Sequence, residues 1–89
     1  MKALLATYDA ESDVMYVSLG PPVPAYGVNK EGLLLLYAYD SDAICGVTVE
    51  GFKARNRLNL TKKLSLRLNV SVDLVNFQVN LALSSKGLA

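Results

Sequence analysis

Apolar residues in this chain come in short runs cut by polar breaks, the pattern of strands joined by tight turns. The most apolar stretch, Leu33 to Val49, is one such run, a polar break from Asp40 to Asp42, then a second run. Leu33, Leu34, Leu35 and Leu36 leave no face of a strand for water, which predicts a strand covered on both sides. Val47, Thr48 and Val49 are β-branched and strand-forming. The acidic linker between the runs predicts an antiparallel hairpin ending near Phe52. Upstream, Ala3 to Tyr8 and Val14 to Leu19 predict two strands joined by the polar loop Asp9 to Asp13. Gly20-Pro21-Pro22-Val23-Pro24 stops the ladder, since proline has no N–H to donate. Ala25 to Val28 is a brief extended piece suited to an edge, and Asn29 to Gly32 turns the chain into the central hairpin.

In the last third the period changes. Leu64, Leu66, Leu68, Val70 and Val72 alternate strictly, which predicts a half-buried strand. The phase then flips to Val75, Phe77 and Val79. Asp73 stands at the flip as a candidate N-cap, and a short helix is expected over 74–84. It would carry Leu74, Phe77 and Leu81 on one face and Val75, Val79 and Ala82 on another. With both faces apolar, it must be buried or lie between subunits. A long bulged strand is the alternative. The expected fold is α+β and β-dominated: an antiparallel β-meander with a C-terminal strand and short helix, in a single domain over 1–89.

Composition adds a pressure towards assembly. The chain has 89 residues, of which 52% are hydrophobic, and a mean hydropathy of +0.28. A domain this small buries only about 60% of the surface its unfolded chain exposes, so a homo-oligomer is expected. The one cysteine, Cys45, has no intramolecular partner, which favours a reducing interior. The opening residues lack the long apolar stretch of a secretion signal, and no run approaches the ~20 residues that span a bilayer. A cytoplasmic protein without membrane contact is expected. The net charge of +1 hides an uneven split. Before residue 51, Lys2 and Lys30 face seven carboxylates; after it, seven cations face Asp73 alone. Such a split suggests a charged partner or self-complementary docking.

The N-terminal half carries an ordered set of motifs. Tyr8-Asp9-Ala10-Glu11-Ser12-Asp13 is followed by Val14-Met15-Tyr16-Val17, then Gly32, Leu33 to Leu36, Tyr39-Asp40-Ser41-Asp42 and Gly46-Val47-Thr48-Val49. Over roughly residues 4–55 this resembles domain-of-unknown-function family 2283, a family of small bacterial and archaeal proteins. One departure is Ala43, where the family usually has glycine in the turn. The resemblance implies a β-meander followed by a variable C-terminal segment, 56–89, and implies no enzymatic activity. Some members are encoded beside toxin-like proteins, so an antitoxin role is one inheritance the resemblance allows.

Candidate chemistry is sparse. Asp9, Glu11 and Asp13 in one loop, with Asp40 and Asp42 in another, are expected at the same end of a meander. Together they are weak candidates for a hard-cation site, of which Asp9, Asp13, Asp40 and Asp42 are the core. The competing reading is that these side chains close Asx-turns on nearby backbone N–H groups, and the DxDxDG spacing of a calcium loop is missing. General acid–base work by these carboxylates would need burial, which hydrophilic loops do not offer. No cofactor is implied. Lys53, Arg55 and Arg57 alternate, so a continued strand would project them from one face at the end away from the acidic loops. With Lys62, Lys63 and Arg67 they could contact phosphates or a protein partner, or form a solvated edge that resists aggregation. Cys45 reads as core and the tyrosines as cross-strand packing. The expected function is a non-enzymatic, self-associating interaction module that docks a protein partner; the alternative is a nucleic-acid-binding or regulatory module using the basic segment 53–67.

Overall fold

The computed structural model describes residues 3–86; Lys2, counted in the charge split, lies outside them. Strands β1 (Leu4–Asp9), β2 (Val14–Leu19), β3 (Ala25–Lys30), β4 (Leu33–Ala38) and β5 (Ile44–Glu50) come first. A 3-10 turn (Phe52–Ala54) and two helices, α1 (Arg57–Leu68) and α2 (Val72–Lys86), follow. All pairings are antiparallel, in the order β1-β2-β5-β4-β3. The β-dominated α+β class holds. The meander is broken once, where the chain crosses from β2 to the far edge and β5 returns to pair with β2. The extended piece after Pro24 is a full edge strand, β3, a position that tolerates a preceding proline. Glu31 and Gly32, at φ 54° and 78°, join it to β4 as the two central residues of a hairpin turn with the I′ signature.

The expected C-terminal strand is a helix instead. Of the even-numbered leucines from 58 to 68, only Leu60, Leu64 and Leu68 are buried, at i, i+4 and i+8, whereas Leu58 is 61% exposed and Leu66 is 83% exposed. The alternation was a helical stripe with two surface leucines interleaved. Leu, Lys and Arg favour helix, and the ends are capped. Asn56 accepts from the Asn59 N–H at 3.0 Å, and Asn69 is left-handed at φ 57°, with the Val70 N–H returning to the Ser65 carbonyl at 3.2 Å. Ser71, rather than Asp73, caps α2: its Oγ accepts from the Leu74 N–H at 3.1 Å. Asp73 sits in the first turn, where a negative charge suits the helix dipole. The helices form an antiparallel hairpin, since Thr61 Oγ1 reaches Asn76 Oδ1 at 3.3 Å and Arg57 reaches Asn80 at 2.8 Å.

The sheet has one covered face and one open face. Leu4, Ala6, Met15, Val17, Leu33, Leu35, Val47 and Val49 form the core together with Leu60, Leu64 and Leu68 of α1 and Val75, Val79 and Ala82 of α2. The opposite face presents two cross-strand rows. Leu5, Ser18, Gly46, Leu36 and Gly27 form one; Thr7, Tyr16, Thr48, Leu34 and Asn29 form the other. The expectation that Leu33 to Leu36 is covered on both sides is therefore corrected: Leu34 and Leu36 lie half-buried on the open face. Their shielding is local. Leu34 Cδ1 lies 2.8 Å from where a Cβ on Gly27 would stand, and Leu36 Cδ1 lies 3.5 Å from the same point on Gly46. Each leucine lies over the gap its glycine neighbour leaves.

Candidate functional site

The two acidic turns lie at opposite ends of the sheet. Val14, just after the first turn, pairs with Glu50 at the end of β5, whereas Ile44, just after the second, begins β5. A strand of this length separates them by ~20 Å. The expected single acidic end is corrected, and β3 is the reason. Treating Ala25 to Val28 as a loose piece omits one chain reversal, and each omitted reversal inverts the direction of every later strand. Asp9 and Asp13 are thus brought together in one turn, and Asp40 and Asp42 in the other. Among the described residues, no group of three or more Cys, Asp or Glu side chains is placed to hold a metal ion.

Each turn uses its carboxylates on its own framework. Asp9 accepts from the Glu11 N–H at 3.1 Å, an Asx-turn. Asp13, left-handed at φ 57°, latches two segments together. It accepts the Tyr8 hydroxyl at 2.6 Å and the Lys53 N–H at 3.1 and 3.2 Å, while its carbonyl accepts from the Phe52 N–H at 3.1 Å. The hydrogen bond to Asp13, helped by desolvation and by the charges of Asp13 and Asp9, pushes the Tyr8 phenol up to about 12. At the other end, Asp42 accepts the Tyr26 hydroxyl at 2.8 Å and raises that phenol above its ordinary value. Tyr26 also stacks on Tyr37, ring centroids 5.7 Å apart, and tilts against Tyr39 at 5.3 Å. Asp40 is exposed.

The basic segment does not continue as a strand. After β5 the chain turns at Gly51 and enters α1, so Lys53, Arg55 and Arg57 diverge instead of sharing one face. They also emerge beside Asp13, at the end opposite Asp40 and Asp42 only. The expected split into a positive and a negative end is corrected accordingly. Arg55 folds back against the open face of the sheet, beside Asn29, Leu34 and Thr48, donating to the Glu50 carbonyl at 2.9 and 3.1 Å and to the Gly32 carbonyl at 2.6 Å. Arg57 lies 5.9 Å from the Phe52 ring centroid and donates to Asn80. Arg67 pairs with Glu31 at 2.5 Å, and that contact holds the Glu31 carboxyl below its ordinary value, helped by Lys63 and Lys30. Lys53, Lys62 and Lys63 are exposed. Half of the six cations therefore serve as internal ties.

The fold also leaves apolar side chains outside. On α2, Asn76 and Asn80 face α1 and Val75, Val79 and Ala82 face the sheet, so Leu74, Phe77 and Leu81 form an outer ridge, with Phe77 59% exposed. On the open sheet face, Leu5 is 56% exposed and Tyr16 is 45% exposed, beside half-buried Leu34 and Leu36. The ridge follows from the two apolar helix faces expected over 74–84. The open sheet face escaped the sequence reading, although the pairing of Tyr16 with Val14 and Ser18 on one strand face carried part of the signal. Among the described residues, no helix is long and apolar enough to cross a membrane. No known family model matches the chain, and no curated protein or solved structure matches it either.

Proposed function

We propose that this chain is a small, non-enzymatic interaction module of the cytoplasm that self-associates and docks a protein partner. The observation that supports the reading is the presence of two separate apolar surfaces on a protomer whose core is already filled: the α2 ridge around Phe77 and the open face of the sheet. Large contiguous apolar patches on small proteins mark interaction surfaces, and a module that both assembles and docks needs two of them. An antitoxin role, which the sequence resemblance allows, is one form such docking takes. The nucleic-acid reading is weaker, because Arg55, Arg57 and Arg67 are tied internally and the exposed cations are reduced to a few lysines.

The test is affinity capture from the native host with the unmodified chain and with Phe77→Asp. A defined protein recovered in stoichiometric amount by the first and lost with the second is expected. Recovery of salt-sensitive nucleic acid with no protein would overturn the docking reading in favour of the alternative.

A further inference from the structure

We propose that the open face of the β-sheet is the self-association surface, and that its occupant is the same face of a second copy of this chain. The inference rests on the self-association reading above and assigns it a place. An antiparallel sheet that meets water on one side normally presents polar side chains there. Here Leu5, Tyr16, Leu34 and Leu36 occupy that side, and the two central rows contain no charged residue. The charges of the face gather at one end, where Asp9 and Glu50 share the end row with Val14 and the Arg55 guanidinium lies beside Gly32, Asn29, Leu34 and Thr48.

Shape and area favour a second sheet. Because Leu34 and Leu36 lie down over Gly27 and Gly46, they add little relief, and Leu5 and Tyr16 are the apolar side chains that stand exposed on the face. Five strands at ~4.8 Å spacing and about six residues long cover roughly 24 by 20 Å, or about 500 Å². Two such footprints give about 1,000 Å² before side-chain relief is counted, the lower bound for a biological interface. The α2 ridge is a poorer seat for a second copy. Leu74 to Leu81 spans only about 11 Å of a convex helix, which falls well short of that area when set against itself. A two-fold dimer sets the same patch of both protomers against each other, so the face needs no second kind of partner to be covered. Two sheets packed in this way share a dry layer about 10 Å thick, the arrangement of a β-sandwich.

The experiment is sedimentation velocity from micromolar to millimolar protomer, with Leu5→Lys and Tyr16→Lys made singly and Phe77→Asp as the control. Each lysine enters the symmetric interface twice, so either variant is expected to raise the dimer dissociation constant at least about 100-fold, while far-UV circular dichroism stays native. Phe77→Asp is expected to leave it within about threefold. A dimer that survives both lysine variants and is lost with Phe77→Asp would overturn this inference and leave the self-association reading standing. A native chain that stays monomeric throughout would overturn both. Should a lysine variant fail to fold, nitration of the native chain decides: Tyr16 is expected to be protected at dimer concentrations and reactive on dilution, with Tyr39, 67% exposed, reactive throughout. Tyr16 reacting as fast as Tyr39 in the dimer would refute the assignment.

Discussion

Gly27 and Gly46 sit in the same cross-strand row on the open face, yet the structure predicts opposite responses to the same substitution. A Cβ at Gly46 would stand 2.8 Å from the carbonyl oxygen of Val17, a backbone atom held in the β2–β5 ladder. It cannot move without disturbing that ladder, and overpacking of this kind costs ~1–3 kcal/mol. Alanine recovers about 0.4–1 kcal/mol by restricting the unfolded chain, so a net loss of ~1–2 kcal/mol is expected for Gly46→Ala. For a domain of this size that lowers Tm by roughly 5–15 °C. At Gly27 the 2.8 Å neighbour is Leu34 Cδ1, the end of a flexible side chain that can rotate towards solvent. Gly27→Ala should therefore leave Tm within a few degrees, or raise it. The assay is thermal unfolding by circular dichroism at matched protomer concentration, since association shifts Tm by mass action. A Gly46→Ala chain as stable as the original, or equal losses at the two sites, would contradict the backbone contact assigned to Gly46.

Three further outcomes follow from the turns. Tyr8 ionises near pH 10 in the unfolded chain and near 12 in the fold, so the stability it contributes is complete below pH 10 and lost as pH rises from 10 to 12. Absorbance at 295 nm should show a late phenolate transition that Asp13→Asn shifts towards pH 10; an unchanged curve would sink the Asp13 assignment. Arg55→Ala should lower stability by about 1 kcal/mol, because partly exposed hydrogen bonds to the Glu50 and Gly32 carbonyls are lost, and a urea midpoint equal to that of the native chain would contradict it. Millimolar Ca²⁺ should leave Tm unchanged, since the two acidic turns are far apart; a site with Kd near 10 μM would instead add about 2.7 kcal/mol at 1 mM free ion.

Strand existence was legible because Val14 to Leu19 and Leu33 to Val49 carry both apolar content and turn punctuation. Helix α2 was legible as the favoured of two readings, because the phase flip at Asp73 needs either a bulge or a change of structure. Helix α1 was not, because Leu58 and Leu66 filled the gaps between the buried residues Leu60, Leu64 and Leu68 and completed a false period of two. A surface leucine is indistinguishable from a core leucine in a pattern. Sheet order was hidden for another reason: β5 pairs with β2 through contacts far apart in sequence, and a single overlooked edge strand reverses the direction of all that follows. Charge was misplaced with it. Lys53 and Asp13, far apart in sequence, meet backbone to carboxylate, and only the correct strand count puts them at one end.

If the protomer is completed along its open sheet face by a second copy, as proposed, small-angle X-ray scattering of the unmodified chain over a concentration series will show it. The protomer has a mass of 9.6 kDa and a Cα radius of gyration of 12.4 Å. Two sheets packed ~10 Å apart, each backed by its own helices, put the protomer centres about 20 Å apart and raise the radius of gyration to about 16 Å. Twice the protomer mass together with that radius is expected at the upper concentrations, both falling on dilution. A single-protomer mass with a radius near 12.4 Å at every concentration would contradict it.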